Sequence, residues 1–96
     1  MKIKWTRSSL NDLHDIVQYI ANDNTTAARS TAGRIRDAVN HLLDSPEMGR
    51  PGRVSGTREL IIAGTPFIIP YRVNIKANVI DILRVLHTSR KWPDHF

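Results

Sequence analysis

The sequence predicts an α+β fold in which a hairpin of two helices packs on a small antiparallel sheet, with residues 1–96 forming a single domain. Apolar residues recur at helical spacing in the first half of the chain. In the second half they form strand-like segments separated by two short turns. We therefore expect the element order β-α-α-β-β-β. Because tight turns connect antiparallel neighbours, we expect the strands of the second half to pair antiparallel.

A short strand and a helix are predicted at the start of the chain. Residues 2–6 alternate polar and apolar side chains, as in a half-buried strand. Ser8 or Ser9 can cap the helix that follows, because a serine hydroxyl accepts a hydrogen bond from a free backbone N–H of the first turn. We expect the helix to end at residues 22–24. Its apolar face consists of Leu10, Leu13, Ile16, Val17 and Ile20.

A second helix is predicted to begin at Thr25 or Thr26, either of which can cap it. Small residues on its inner face permit close approach to the first helix, which favours a helix hairpin. The inner face consists of Ala28, Ala32, Ile35, Val39 and Leu42. Residues 45–56 contain five glycines and prolines and are predicted to form a loop.

Three strands are predicted in the second half of the chain. They comprise residues 58–63, 67–74 and 79–87, with turns at 64–66 and 76–78. Pro70 lies inside the middle strand and cannot donate to a sheet ladder, so we expect an irregularity there. Which of the two alternating sets of side chains faces the helices stays open at this point.

The charge balance favours an anionic partner, either nucleic acid or an acidic protein, over mere solubility. Lys and Arg number 14 against 9 acidic residues, a net charge of +5. There is no cysteine, which excludes disulfides and cysteine-ligated zinc, and the four histidines lack ligand spacing. We therefore expect neither a metal nor another cofactor. Without a signal peptide or a membrane-length apolar run, we expect a cytoplasmic protein that has no membrane partner.

Several stretches of the chain together resemble the RelE/ParE toxin family. They are Gly-Thr-Arg-Glu-Leu at 56–60, Tyr-Arg-Val at 71–73, Leu-His-Thr-Ser-Arg-Lys-Trp-Pro at 86–93, and a first helix carrying Leu13, Ile16, Tyr19 and Ile20. The resemblance covers nearly the whole chain and implies the toxin of a type II toxin–antitoxin module with a β-α-α-β-β-β fold. It also implies a hetero-oligomer with a cognate antitoxin whose toxin-binding segment is acidic, which suits the positive charge of this chain.

The resemblance leaves three functional hypotheses open. The ParE branch of the family arrests growth by poisoning DNA gyrase, and its modules are associated with plasmid stabilisation. The RelE branch acts as an mRNA interferase, often on the ribosome. A third possibility is a family member that binds only its antitoxin. This sequence is more similar to the ParE-type group, so gyrase inhibition is the first hypothesis.

A metal-independent ribonuclease needs an acid, a base and cations for the developing phosphorane charge. The candidate acid or base is His87, since the pKa of free histidine is near neutrality. The candidate cations are Arg58 and Arg90. The predicted middle strands are apolar, and only Glu47 and Glu59 are conceivable carboxylate partners for the histidine. A hydrogen-bonded structural histidine is the alternative interpretation.

A gyrase inhibitor needs only a docking surface. The candidate target-binding residues are Arg50, Arg53, Arg72, Arg84 and Trp92. Packing is the alternative role for Trp92, and a cross-sheet pair with Asp81 is an alternative role for Arg58. Tyr71 is expected to pack with its hydroxyl at the rim of the core. Because the middle strands lack polar residues for catalysis, the sequence favours docking over cleavage.

Overall fold

Two helices and six strands make up the structure, a computed structural model that describes residues 1–96. The predicted α+β fold, with its helix hairpin ahead of the main strands, is confirmed. The elements are β1 (Lys2–Trp5), α1 (Arg7–Ala21), α2 (Thr25–His41), β2 (Arg50–Pro51), β3 (Arg58–Ile61), β4 (Phe67–Asn74), β5 (Val79–Ile82) and β6 (Leu86–His87). No helix is both long enough and apolar enough to cross a membrane.

The sheet is mixed, whereas the sequence predicts a small antiparallel sheet. Its strand order is β1-β5-β4-β3-β2, and β6 pairs with β4 beyond the end of β5. The strands from β2 to β5 pair antiparallel, as the turns predict, but β1 lies parallel to β5 with Ile3 opposite Ile80. Parallel pairing is possible because the helix hairpin and three strands separate β1 from β5 along the chain.

The N-cap of the first helix lies two residues before the earliest predicted cap. Thr6, not Ser8 or Ser9, is the N-cap, and its hydroxyl accepts a hydrogen bond from the Ser9 backbone N–H at 3.1 Å. The same hydroxyl donates to the Ile82 carbonyl at 2.8 Å. Thr6 therefore caps α1 and also fastens it to β5, a tertiary contact that local capping preferences do not reveal.

The second helix is capped by Asn24 and not by Thr25 or Thr26. Its side-chain oxygen accepts a hydrogen bond from the Ala27 backbone N–H at 3.0 Å, which is the usual bond between an N-cap and the third helical residue. The predicted inner face of α2 is confirmed, because its members are all buried. They are Ala28, Ala32, Ile35, Val39 and Leu42.

The helices cover the sheet face that carries Leu60, Ile69 and Ile80. This observation decides which of the two alternating sets of side chains faces the helices. Trp5 packs against the same core. On α1 the core contacts come from half-buried residues, and Leu10, predicted to face the core, is 51 % exposed. The core cluster comprises Ile35, Val39, Leu42, Leu60, Ile62, Phe67, Ile69, Tyr71, Ile80, Ile82 and Val85.

The irregularity predicted at Pro70 is a bulge in the neighbouring strand. Tyr71 pairs with Ile82, and Ile68 pairs with Leu86. Between these pairs β4 has two residues, whereas the facing chain has three, residues 83–85. This extra residue divides the predicted 79–87 strand into β5 and β6.

Two further strand boundaries differ from the prediction. β3 ends at Ile61, two residues before the expected end of that strand. β2 lies within residues 45–56, which were expected to form only a loop, and Arg50 of β2 pairs with Glu59 of β3. A two-residue strand is too short to produce a detectable alternation of polar and apolar side chains.

Candidate functional site

The sheet face turned away from the helices, called the outer face here, carries several of the predicted cations. Arg72 of β4 is in register with Asp81 of β5, and Asp81 is in register with Lys4 of β1. Paired residues of adjacent strands share a face, so these three side chains form one row across the sheet. Arg50, opposite Glu59, extends the positive charge to the β2 edge.

Glu59 organises the arginines at that edge. Its side chain is only 3 % exposed, and Oε1 accepts hydrogen bonds from Nε and Nη2 of Arg50 at 3.2 and 3.0 Å. Oε2 accepts a hydrogen bond from the backbone N–H of Arg53 at 2.9 Å. A buried carboxylate with these partners holds the loop after β2 in place. Glu59 is therefore engaged by arginines and is not a partner of His87.

Trp92 connects the C-terminal segment to this loop. The guanidinium carbon of Arg53 lies 3.7 Å from the centroid of the Trp92 ring, a cation–π arrangement. The indole Nε1 donates to the His87 carbonyl at 3.1 Å. Since β6 and the loop after β2 lie on opposite sides of β3 and β4, this contact spans the outer face. Trp92 is half-buried and packs against Arg53, which agrees with the alternative interpretation that its role is packing. Its exposed part still belongs to the candidate docking surface.

Arg84 lies apart from the other arginines, against α1. Its Nε and Nη2 donate to the two carboxylate oxygens of Asp12 at 2.6 and 3.0 Å, and the Val85 backbone N–H also donates to this carboxylate at 3.0 Å. The hydrogen bonds to Asp12 raise the pKa of Arg84 above its ordinary value. This fork-to-fork pair fastens the bulge to α1 and leaves Arg84 outside the outer face.

Arg58 lies on the helix side of the sheet, beside Tyr71. Its Nη1 donates to the carbonyl oxygens of Gly49 and Glu47 at 2.8 and 3.3 Å. The alternative pair with Asp81 does not form, because Asp81 is two strands away and on the outer face. Arg58 therefore supports the segment that leads into β2.

Tyr71 holds the same segment from inside the core. Its hydroxyl accepts a hydrogen bond from the Gly49 N–H at 2.9 Å and donates to the Pro46 carbonyl at 2.7 Å. The predicted position at the rim is wrong, because the residue is fully buried. Burial raises the pKa of Tyr71. Gly49 is required here, since a Cβ atom would lie only 2.6 Å from the tyrosine ring.

His87 lies at the other end of β4 and has no carboxylate partner. Its ring meets Phe67 edge-on, with centroids 5.6 Å apart, and its Nδ1 lies 2.7 Å from the Ser89 hydroxyl. Arg90 follows in the same turn and lines, with His87, a cleft of about 730 Å³ between α1 and β6. Arg58 pairs with Tyr71, which lies four residues, or about 13 Å, along β4 from Phe67, the partner of His87.

The three residues predicted for catalysis are therefore not assembled into one site. His87 and Arg90 share the cleft, while Arg58 is bonded to backbone carbonyls elsewhere. His, Cys, Asp and Glu side chains do not gather in groups of three or more that could hold a metal ion. The predicted docking residues are closer together, since Arg50, Arg53, Arg72 and Trp92 all lie on the outer face or at its edge.

Comparison with known proteins decides the family. Residues 3–92 match the model of a family described as the ParE toxin of the type II toxin–antitoxin system parDE. The chain belongs to the ParE toxin family. The resemblance identified from the sequence motifs is thereby confirmed.

Two bacterial proteins with toxin designations are similar to this chain. The Sinorhizobium fredii protein Y4kP, which carries a toxin designation, is 42% identical over 92 residues, covering 96% of this chain and 93% of that protein. The toxin RelE2 of Caulobacter vibrioides is 33% identical over 89 residues, covering 93% and 97% of the two chains. This ParE-family chain therefore has a relative named after the RelE branch.

Solved structures share the fold of this ParE-family toxin. A chain from the chromosomal ParDE system of P. aeruginosa superposes with a TM-score of 0.82 at 32% identity, covering 93% of this chain and 97% of that one. A chain from the RelBE2 toxin–antitoxin complex of Mycobacterium tuberculosis gives a TM-score of 0.55 at 26% identity, covering 90% and 95%. The geometric match is thus closer to the ParDE structure.

Two organising residues of this ParE-family toxin were missed by the sequence analysis. Asp12 is an ordinary helix acid by position, and only the bulge brings Arg84 and the Val85 N–H to it. Glu59 was considered solely as a partner for His87. Its position opposite a cation in a neighbouring strand becomes visible only once β2 is recognised.

Proposed function

We propose that this ParE-family toxin arrests growth by binding DNA gyrase through its outer face, without chemistry of its own. The observation that carries the proposal is the grouping of residues. Arg50, Arg53, Arg72 and Trp92 all lie on the outer face or at its edge, whereas Arg58 lies apart from the His87 and Arg90 that a ribonuclease would also use. Docking needs a continuous surface, and acid–base chemistry needs groups within hydrogen-bond reach of one substrate.

Arginine and tryptophan suit this role. Both are enriched among the residues that contribute most to binding energy at protein interfaces. Arg53 is held against Trp92 and through its backbone by Glu59, so little side-chain entropy is lost when a target binds. Arg72 takes part in none of the ion pairs or side-chain hydrogen bonds of the protein, although Asp81 is its cross-strand neighbour, and it remains available. The net charge of +5 would accelerate encounter with an acidic or DNA-bound target.

We also infer a cognate antitoxin as the physiological partner. The similar chain from P. aeruginosa comes from a ParDE toxin–antitoxin system, and the M. tuberculosis structure is itself a toxin–antitoxin complex. An acidic toxin-binding segment would complement the positive charge of this chain. The expected complex is a hetero-oligomer in the cytoplasm, where gyrase acts.

Cleavage of mRNA is the second candidate, supported by one observation. His87 and Arg90 line the same cleft, together with Asp15 and Tyr19 of α1. A general acid and a cation are therefore close to each other. The His87 ring, however, already contacts Ser89 through Nδ1, and no carboxylate orients it. Gyrase binding remains the better supported function.

A matched pair of arginine variants tests the docking surface. We expect Arg72→Ala to weaken inhibition of gyrase supercoiling by about tenfold, because it removes an unpaired arginine from the outer face. Arg36→Ala removes the same charge from the exposed side of α2 and should alter the inhibitory concentration less than about twofold. Equal losses for the two variants would indicate a general charge effect and would contradict the proposed surface.

A further inference from the structure

A second surface lies on the helix side of the sheet, at the far end of β4 from His87. It is a groove of about 700 Å³, called the methionine groove here. The groove is lined by Met1, Ser45, Pro46, Glu47, Met48, Arg58, Val73 and Ile75. Neither α1 nor α2 contributes to this lining, so the end of the sheet is left uncovered there.

The groove concentrates exposed apolar surface. Ile75 is 81 % exposed, Met48 50 % and Met1 42 %, and these are three of the seven large hydrophobic residues that the fold leaves exposed. Isolated exposed hydrophobic residues are ordinary, but a cluster in one concave surface indicates a binding site. Methionine side chains adapt to varied partners, because they are unbranched and polarizable.

Arg58 places a positive charge at a fixed position beside the groove. Its Nη1 is fixed by the Gly49 and Glu47 carbonyls, and neither Nε nor Nη2 has a hydrogen-bond partner in the protein. No carboxylate lies within ion-pair distance of this guanidinium. A half-buried cation beside an apolar groove suits a ligand that carries a carboxylate next to an apolar side chain.

We propose that the methionine groove receives an apolar side chain from the acidic toxin-binding segment of the antitoxin, and that a neighbouring carboxylate of this segment pairs with Arg58. The proposal rests on the antitoxin partnership inferred above. A second copy of this chain fits poorly, because its charge of +5 and its own Arg58 would be repelled. The groove lies on the opposite face of the sheet from Arg72, so this contact does not require the gyrase-binding surface.

The test uses exposed positions so that folding is preserved. Ile75→Glu and Met48→Glu each place a negative charge in the groove, and Leu10→Glu makes the same change on the exposed side of α1. The probe is the purified product of the gene beside the toxin gene, where we expect the antitoxin to be encoded, and it is titrated against each full-length toxin by calorimetry. We expect both groove variants to weaken binding at least tenfold, and Leu10→Glu less than twofold, with thermal midpoints similar to that of the wild type.

Other outcomes separate this inference from the gyrase proposal. Wild-type affinity in both groove variants, equal loss in Leu10→Glu, or no binding of the neighbouring gene product to wild-type toxin would overturn the groove assignment. A dimer of wild-type toxin that Ile75→Glu dissociates would identify a second copy as the occupant and would also overturn it. Inhibition of gyrase by each toxin without antitoxin should stay unchanged, and its absence in the wild type would refute only the gyrase proposal.

Discussion

At the scale of single residues, Glu59 has the greatest influence on the shape of the outer face. Arg50 and Arg53 would repel each other across an open loop, but both are bound to this one buried carboxylate. The glutamate thereby fixes the backbone of the loop and the position of the Arg53 guanidinium over Trp92. Glu59 can in this way determine how the side chains proposed to bind the target are presented.

Replacing Glu59 by Gln should lower both stability and gyrase inhibition. The amide keeps the volume but loses the charge-assisted hydrogen bonds, so we expect the free energy of unfolding to fall by about 1–3 kcal/mol. Urea denaturation measures this change, and the exposed Glu47→Gln is the matched control. If Glu59→Gln has the stability and inhibitory potency of the wild type, the carboxylate does not organise the loop.

Tyr71 is expected to make the stability of the folded protein decrease as the pH rises into the alkaline range. Burial raises the pKa of its hydroxyl above the ordinary value of 10.0, so the folded state holds the proton more tightly than the unfolded state. The stabilisation from this difference is fully present below pH 10, and it is lost as the pH rises from 10 through the folded pKa. We expect the wild type to lose stability steeply in that window.

The Tyr71→Phe variant should show a flatter stability curve above pH 10. At neutral pH it should be less stable by about 1–3 kcal/mol, since the Gly49 N–H and the Pro46 carbonyl lose their buried partner. Chemical denaturation at pH 7 to 11 compares the two proteins, with the exposed Tyr19→Phe as control. Parallel curves for wild type and Tyr71→Phe would show that the hydroxyl does not cause the alkaline loss.

At the scale of elements, the bulge between β5 and β6 determines where the chain near His87 lies. Pro70 offers no N–H to the facing strand, which there carries an extra residue. Asp12 satisfies the Val85 N–H and neutralises Arg84, so α1 holds the bulge from one side. β6 then resumes its pairing with β4 at Leu86 and His87.

Removing the charge of Asp12 should loosen β6 more than the rest of the sheet. In Asp12→Asn we expect the Val85 and Leu86 amides to exchange hydrogen faster, and the free energy of unfolding to fall by about 1–3 kcal/mol. Hydrogen exchange resolved by residue measures the local effect, and the exposed Asp15→Asn is the control. Unchanged protection of these two amides would mean that the Asp12–Arg84 pair does not secure the bulge.

The elements differ in how far local sequence determines them. The strand Phe67–Asn74 has the predicted bounds, because turn residues flank a continuous apolar segment. The inner face of α2 likewise follows from helical spacing alone. By contrast, the parallel neighbour of β1 and the Thr6 cap depend on contacts with β5, which lies more than 70 residues along the chain. Single-sequence periodicity contains no information on such distant pairings.

The candidate site was predictable only in its residue types. The motifs identified the arginines, Trp92 and His87, but sequence could not show that Arg84 faces Asp12 or that Arg58 bonds to backbone carbonyls. Both depend on which face of the sheet each residue occupies, and the bulge reverses the expected alternation after Ile82. The grouping of Arg53 with Trp92 arises from the return of the C-terminal segment, which no periodic pattern marks.

At the scale of the whole molecule, the fold separates two surfaces. The helix hairpin occupies one face of the sheet, and the cationic outer face, proposed as the target surface, lies on the other. The methionine groove opens at the uncovered end on the helix side. The excess of positive charge acts over both surfaces and favours acidic partners. In the two proposals made above, one small domain offers its target and its antitoxin different contacts.

The most direct test of the central claim compares the products made by wild-type toxin and by His87→Ala. Each protein is incubated with gyrase and supercoiled DNA, and in parallel with a translation extract whose mRNA is mapped by primer extension. We predict that both proteins trap equal amounts of protein-linked, cleaved DNA and leave the mRNA intact, because the outer face does not include the histidine ring. Cut mRNA from the wild type, abolished in His87→Ala, together with unaffected gyrase would contradict the account.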